Sequence, residues 1–338
     1  MSEKTLYEVA KYLSADGKGV LAADESSGSI KKKLMAAGIE DTFENRRLYR
    51  EIFFTTPDME KYISGVIMFD ETIRQVSSDG VPFPQLLAAK NVIPGIKVDI
   101  GLKDMEGHPG EQVVKWDENL DSRLKEYYEL GARFAKWRIV IHISDIIPSD
   151  ECIEVNCQIL ADYAKLCQQN KIVPIVEPEV LMDGNHTIDR CFEVTTKCQK
   201  VLFAKLKNLG VNLRELVLKP NMVMYSMEGE KVSAEIVAQK TIECFSMAVP
   251  AEVPSIVFLS GGQSESESCE NLNAISKLSK EKNTPWKFSF SFGRGLQNSA
   301  VKIWAGKAEN FVAAQQAFAH RAKLASAASL GEYNIEME

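Results

Sequence analysis

The segment IVPIVEPEVLMDGNHTIDRCFEVTTKCQKVLFAKLKNLGVNLRELVLKPN, residues 172–221, contains one complete alternation of strand and helix patterns. Ile172 to Val176 is a short apolar run dominated by β-branched residues, which reads as a buried strand. Cys191, Val194, Cys198, Val201 and Leu209 then recur at helical spacing on one face, and Gly210 closes that helix. Leu216 to Leu218 forms a second brief strand, ended by Lys219-Pro220-Asn221 because proline has no N–H for a further ladder bond. A strand, a covering helix and another strand make up the unit of a parallel sheet flanked by helices.

The same alternation extends in both directions. Gly19 to Ala23, Ser64 to Phe69, Gly95 to Val98, Ala132 to Trp137, Ser255 to Leu259 and Lys287 to Phe292 bring the strand candidates to eight. Ile153, Leu160, Tyr163 and Cys167 share a helical face, and Ile236, Val237, Thr241, Cys244, Phe245 and Ala248 form an apolar stripe. Further helices are expected around Leu6, Val9, Ala10 and Leu13, over Asp41 to Phe54, and around Phe311, Gln315, Phe318 and Ala322. Eight strand-helix units favour closure over an open doubly wound sheet, and 338 residues suit a barrel that typically needs ~250 plus insertions. The expected fold is α/β, a (β/α)8 TIM barrel with extra terminal helices. Residues 1–338 form one barrel domain in this reading, with 331–338 a short C-terminal segment.

Composition narrows the function. A chain that is 45% apolar and 26% charged can bury a large core. The net charge of -7, with both signs mixed along the chain, leaves no basic face for nucleic acid and no polybasic membrane anchor. Met1 to Val20 has neither a signal-peptide core nor a transit-peptide composition, and no apolar run approaches the ~18 residues of a membrane span, so a cytoplasmic protein is expected. Seven cysteines without a CxxC spacing read as reduced and mostly internal. The four histidines are dispersed, with no HxxH or HExxH, so no metal site is expected.

Almost every candidate strand ends in an ionisable or hydroxyl group, and barrel active sites lie at the C-terminal ends of strands. Lys219 follows an apolar strand. If it points inward near Lys136, lost hydration and like charge both favour its neutral, nucleophilic form; the alternative is an outward lysine at a strand end. Glu177 and Glu179 share a face if the strand stays regular through Pro178, and either supply an acid for carbinolamine dehydration or ligate a metal. Ser260-Gly261 and Gly293-Arg294 end strands seven and eight, where barrels commonly bind phosphate. A second anion site is expected near Asp24, Ser26 and Ser29, with Lys97 nearby; Ser26 or Ser29 could instead cap a helix. Two anion sites flanking a lysine suggest a substrate phosphorylated at both ends.

Together these segments resemble class I fructose-bisphosphate aldolase. The likeness runs through GKGVLAADESSGSIKKKL (17–34), FDET (69–72), GIKVD (95–99), FAKWR (134–138) and VPIVEPEVLMDGNH (173–186), then LKPNMV (218–223), FLSGGQSESES (258–268) and FSFGRGLQNSAVKIWAGKAEN (288–310). The resemblance implies that Lys219 is the Schiff-base lysine, Glu177 its acid and base, and Asp24 the base for the C4 hydroxyl, with Lys136 and Glu179 supporting charge and proton placement. It assigns Ser260, Gly261, Gly293 and Arg294 to the ketone-end phosphate, and Ser26, Ser29, Lys97 and Arg138 to the other end. The implied reaction is reversible cleavage of fructose 1,6-bisphosphate by a cytoplasmic homotetramer, without metal or cofactor, its partners being small sugar phosphates. A related ketose phosphate as preferred substrate, or a catalytically silent scaffold, are the alternatives.

Four features depart from the family pattern. Lys33 and Ile100 stand where arginine and lysine are common, and Val114 to Leu120 reads VKWDENL. The chain closes at Glu338 without a tail matching the family's terminal tyrosine, and Tyr333 is not its counterpart. Proton transfer on the enamine is therefore expected from the barrel mouth, with Glu177 or bound water as donor.

Overall fold

A computed structural model describes residues 4–338. Its strands, numbered in chain order, are β1 Gly19–Ala23, β2 Ile63–Met68, β3 Ile93–Lys97, β4 Leu102–Asp104, β5 Gln112–Val114, β6 Phe134–Ile141, β7 Val173–Val180, β8 Val217–Leu218, β9 Ser255–Phe258 and β10 Lys287–Phe292. Eight of them close a parallel barrel in the order β1-β10-β9-β8-β7-β6-β3-β2. All eight expected strands are present, β1 and β10 with the expected ends and the other six with shifted ones. The antiparallel pair β4-β5 was not expected: its strands are three residues each, too short to show a period.

Alternation along the strands separates two cores. Val20, Ala22, Ile67, Ile93, Phe134, Val173, Ile175, Val217 and Val257 fill the lumen, whereas Leu21, Val66, Ile96, Ala135 and Val176 face the surrounding helices. The N-terminal helix Leu6–Tyr12 closes the bottom of the barrel, with Val9, Ala10 and Leu13 joining the lumen cluster. Thr5 and Glu8 form a capping box that fixes the start of this helix. A Cβ on Gly95 would overlap the Phe134 ring, so glycine is needed there for the ring to fill the lumen.

β6 and β7 extend together to Ile141 and Val180, past the expected ends at Trp137 and Val176. Two prolines in β7 argue against such a strand from sequence. Their positions resolve the conflict. Val173 and Leu181 donate to Arg133 and Ile141 beside β6, so odd-numbered amides face that side. Pro174 and Pro178 therefore direct their missing N–H toward β8, which pairs only with Ile175 and Val176. The strand stays regular, and Glu177 and Glu179 continue the inward row begun by Val173 and Ile175.

Candidate active site

The inward parity that places valines low in the lumen places charged groups at its top. β1 delivers Asp24, β3 Lys97, β6 Lys136 and Arg138, β7 Glu177 and Glu179, and β8 Lys219. All of them line one cavity of about 660 Å³ with Ser26, Ser29, Ser260, Gly261, Gly293 and Arg294. A larger groove of about 1300 Å³ lies outside the barrel between helices Ala234–Ala248 and Glu265–Lys282. It lacks the converging strand ends, so the chemistry is placed at the mouth.

Lys219 points inward. Its amide donates to the Val176 carbonyl at 2.8 Å, holding the backbone in the barrel, and its buried Nζ lies 3.1 Å from Glu177 Oε1. Lys136 reaches the other Glu177 oxygen at 3.3 Å, so the two lysines are bridged by a carboxylate rather than left facing each other. Lys136 also pairs with Asp24 at 2.8 Å and Asp99 at 3.6 Å. Burial alone would lower its pKa, but Asp24, Glu177 and Asp99 together raise it above the ordinary lysine value. Asp24 shows the converse: burial opposes its ionisation, yet Lys136 and Lys219 hold it well below the usual carboxylate range. Asp24 is thus an ionised carboxylate held beside a cation.

Glu179 is separately engaged, accepting from Arg138 Nε, while Lys97 pairs with Asp99 at 2.8 Å. Asp99 joins the site although it is not among the strand-end groups expected from the sequence. GIKVD carries the signal, because Asp99 lies two positions beyond the inward Lys97. Asn298 and Lys33 also line the cavity.

The two expected anion sites have backbone as well as side-chain groups around them. Gly293 precedes the helix Arg294–Trp304, whose N-terminus faces the mouth, and the Arg294 guanidinium donates to the Gly261 carbonyl. Gly261 has φ +54°, a left-handed conformation that favours glycine. Across the mouth, Ser26 occupies the N-cap position of helix Ser27–Ala36 without a side-chain capping bond. Its Oγ lies 3.2 Å from that of Ser29, leaving two hydroxyls beside free helix N–H groups.

A family model described as fructose-bisphosphate aldolase class-I matches residues 5–338. The chain belongs to the class I fructose-bisphosphate aldolase family. It is 49% identical over 335 residues to the probable class 1 fructose-bisphosphate aldolase of Xanthomonas axonopodis pv. citri, covering 98% of this chain and 99% of that one. It is 49% identical over 324 residues to fructose-bisphosphate aldolase 6, cytosolic, of Arabidopsis thaliana, covering 96% and 90%. The aldolase of Plasmodium falciparum, solved in a ternary complex with TRAP and a small-molecule inhibitor, superposes with a TM-score of 0.95 at 44% identity, covering 97% and 95%. The aldolase fold and this chain's barrel are therefore the same architecture.

Within this aldolase family member, Tyr333 lies outside the mouth. It is buried beside the helix Glu265–Lys282, where Asn273 accepts from its amide at 3.0 Å and its hydroxyl donates to Glu338 at 2.8 Å. All seven cysteines are buried and unpaired. Among the described residues, no helix is long and apolar enough to cross a membrane.

Glu25 gives the site a measurable acid limit. Burial would raise its pKa, but Arg50 and Lys33 bring it down to about 2 from the ordinary 4.5. Because the folded value is the lower one, this contribution is complete above about pH 4.5 and is lost as pH falls toward about 2. Its full size is roughly 3 kcal/mol. Urea denaturation at pH 6, 4 and 3 should show Glu25→Gln losing less stability with acid than the parent chain. Equal losses would show that Glu25 does not make this contribution.

Proposed function

We propose that this chain cleaves fructose 1,6-bisphosphate reversibly to dihydroxyacetone phosphate and glyceraldehyde 3-phosphate through a Schiff base on Lys219. The observation that carries the assignment is the buried Lys219 Nζ, 3.1 Å from Glu177 Oε1, in a mouth with anion-binding groups on both sides. Lys219 adds through its neutral form to the C2 ketone. Glu177 then protonates the carbinolamine hydroxyl, which leaves as water and gives the iminium. Asp24 takes the C4 hydroxyl proton, the C3–C4 bond breaks, and its electron pair moves into the iminium to form the enamine as glyceraldehyde 3-phosphate departs. Protonation at C3 by Glu177 or bound water, followed by hydrolysis, releases dihydroxyacetone phosphate and restores the lysine.

Lys136 keeps a positive charge between Asp24 and Glu177 throughout, stabilising the negative charge that either carries. Ser260, Gly261, Gly293 and Arg294 hold the ketone-end phosphate, and Ser26, Ser29, Lys97 and Arg138 the far phosphate. Glu179 orients Arg138. A homotetramer in the cytoplasm is the expected setting, a location supported by the cytosolic plant relatives.

The direct test is product formation under chelation. The protein, dialysed against EDTA, should convert fructose 1,6-bisphosphate to equal amounts of the two triose phosphates at an essentially unchanged rate. Loss of cleavage restored by zinc would contradict the iminium mechanism, and faster turnover of fructose 1-phosphate would shift the substrate assignment.

Arg294 supplies a second test. Charge-assisted hydrogen bonds contribute roughly 1.5 to 3 kcal/mol, so Arg294→Ala should reduce kcat/KM for the bisphosphate by about tenfold to a hundredfold. An unchanged kcat/KM would place the ketone-end phosphate elsewhere.

A further inference from the structure

Lys33 lines the mouth where the family commonly has arginine, and a cation there invites assignment as a phosphate ligand. Its surroundings give it a different task. The ammonium lies 2.9 Å from Glu25 Oε1, 2.8 Å from the Tyr49 hydroxyl and 2.5 Å from Gln297 Oε1. A lysine has three N–H donors, so each already has a protein acceptor.

These partners secure the chain on both sides of Asp24. Gln297 Nε2 donates to the Ala22 carbonyl at 3.0 Å, and the Tyr49 hydroxyl lies 2.8 Å from Glu25 Oε1. Arg50 donates to Glu25 Oε2 at 2.5 Å and to the Glu25 carbonyl at 3.2 Å. Tyr49 and Gln297 are fully buried. They come from helices Phe43–Thr55 and Arg294–Trp304, and the second of these begins with Arg294, assigned above to the ketone-end phosphate. The cluster therefore ties the strand end bearing Asp24 to the helix that binds the ketone-end phosphate.

We propose that Lys33, Tyr49 and Gln297 are positioning residues that hold Asp24 in register with the phosphate helix, and that Lys33 does not bind the substrate phosphate. The proposal rests on Asp24 being the C4-hydroxyl base. A displaced base slows bond cleavage without weakening phosphate binding, and misplacement by an ångström can cost about a hundredfold. It leaves Schiff-base formation at Lys219 intact, because that step uses Glu177.

The test uses Lys33→Met and Gln297→Leu in the full chain, with Asp24→Asn beside them. Turnover and KM for fructose 1,6-bisphosphate are measured together with borohydride trapping of dihydroxyacetone phosphate. Both cluster variants should lose about tenfold to a hundredfold in kcat, with KM within about twofold of the parent and full trapping. A general loosening of the fold would reduce trapping as well, contradicting a positioning role. A raised KM with unchanged kcat in Lys33→Met would make Lys33 a phosphate ligand and overturn the proposal. Unchanged kcat in both variants, with Asp24→Asn inactive, would overturn the cluster's role alone. An active Asp24→Asn would overturn the base assignment and the cluster's role with it. If Lys33→Met fails to fold, Gln297→Leu decides the cluster's role, since it removes the Ala22 tether without changing charge.

Discussion

Replacing Lys219 with methionine should lower the rate of fructose 1,6-bisphosphate cleavage by roughly 10⁴- to 10⁶-fold, the range seen when a covalent enzyme loses its nucleophile. Methionine keeps an unbranched chain in the buried slot between β7 and β9, with sulfur in place of Cδ and no amine. Glu177 retains Lys136 as a partner, 3.3 Å away, so the substitution does not strand a buried carboxylate. Lys136 cannot take over the attack, because Asp24, Glu177 and Asp99 hold it protonated. Steady-state cleavage, with folding checked by thermal melting, is the measurement. A folded variant retaining more than about a hundredth of the parent rate would contradict nucleophilic attack by Lys219.

Glu177→Gln should lower turnover by about 10²- to 10⁴-fold, the span for loss of a general acid or base. Glutamine preserves the shape of the side chain but cannot protonate the carbinolamine hydroxyl. It also removes the charge that bridges Lys136 and Lys219, so formation of the iminium and its hydrolysis should both slow. Rapid mixing with dihydroxyacetone phosphate, followed by reduction at timed intervals, separates these steps from carbon-bond cleavage. If iminium formation keeps the parent rate and only cleavage slows, Glu177 serves a different step.

The fold was legible because short apolar, β-branched runs and helical patterns alternate eight times, and because strand ends are marked by charge. Lys219 was the clearest case: an apolar run leading to a lysine and then proline has few other uses in a barrel. The parity of β7 was harder to read, since Pro174 and Pro178 argue against a regular strand until the shortness of β8 is known. Asp99 was marked only by its place in GIKVD, two positions past Lys97, and Gln297 was not legible as part of the site. Their roles come from contacts with Lys136 and Lys33, which are 37 and 264 positions away in the chain. Lys33 was visible as a departure from the family pattern, but its task depends on which acceptors surround it. The β4-β5 pair escaped notice because three-residue strands carry no readable period.

The proposed chemistry depends above all on which amine becomes covalent. Borohydride reduction of the protein with dihydroxyacetone phosphate, followed by proteolysis and mass spectrometry, reports this directly. A single triose phosphate adduct on the peptide containing Lys219 is the expected result, abolished in Lys219→Met. No adduct under conditions that support cleavage, or an adduct confined to Lys136, would contradict it.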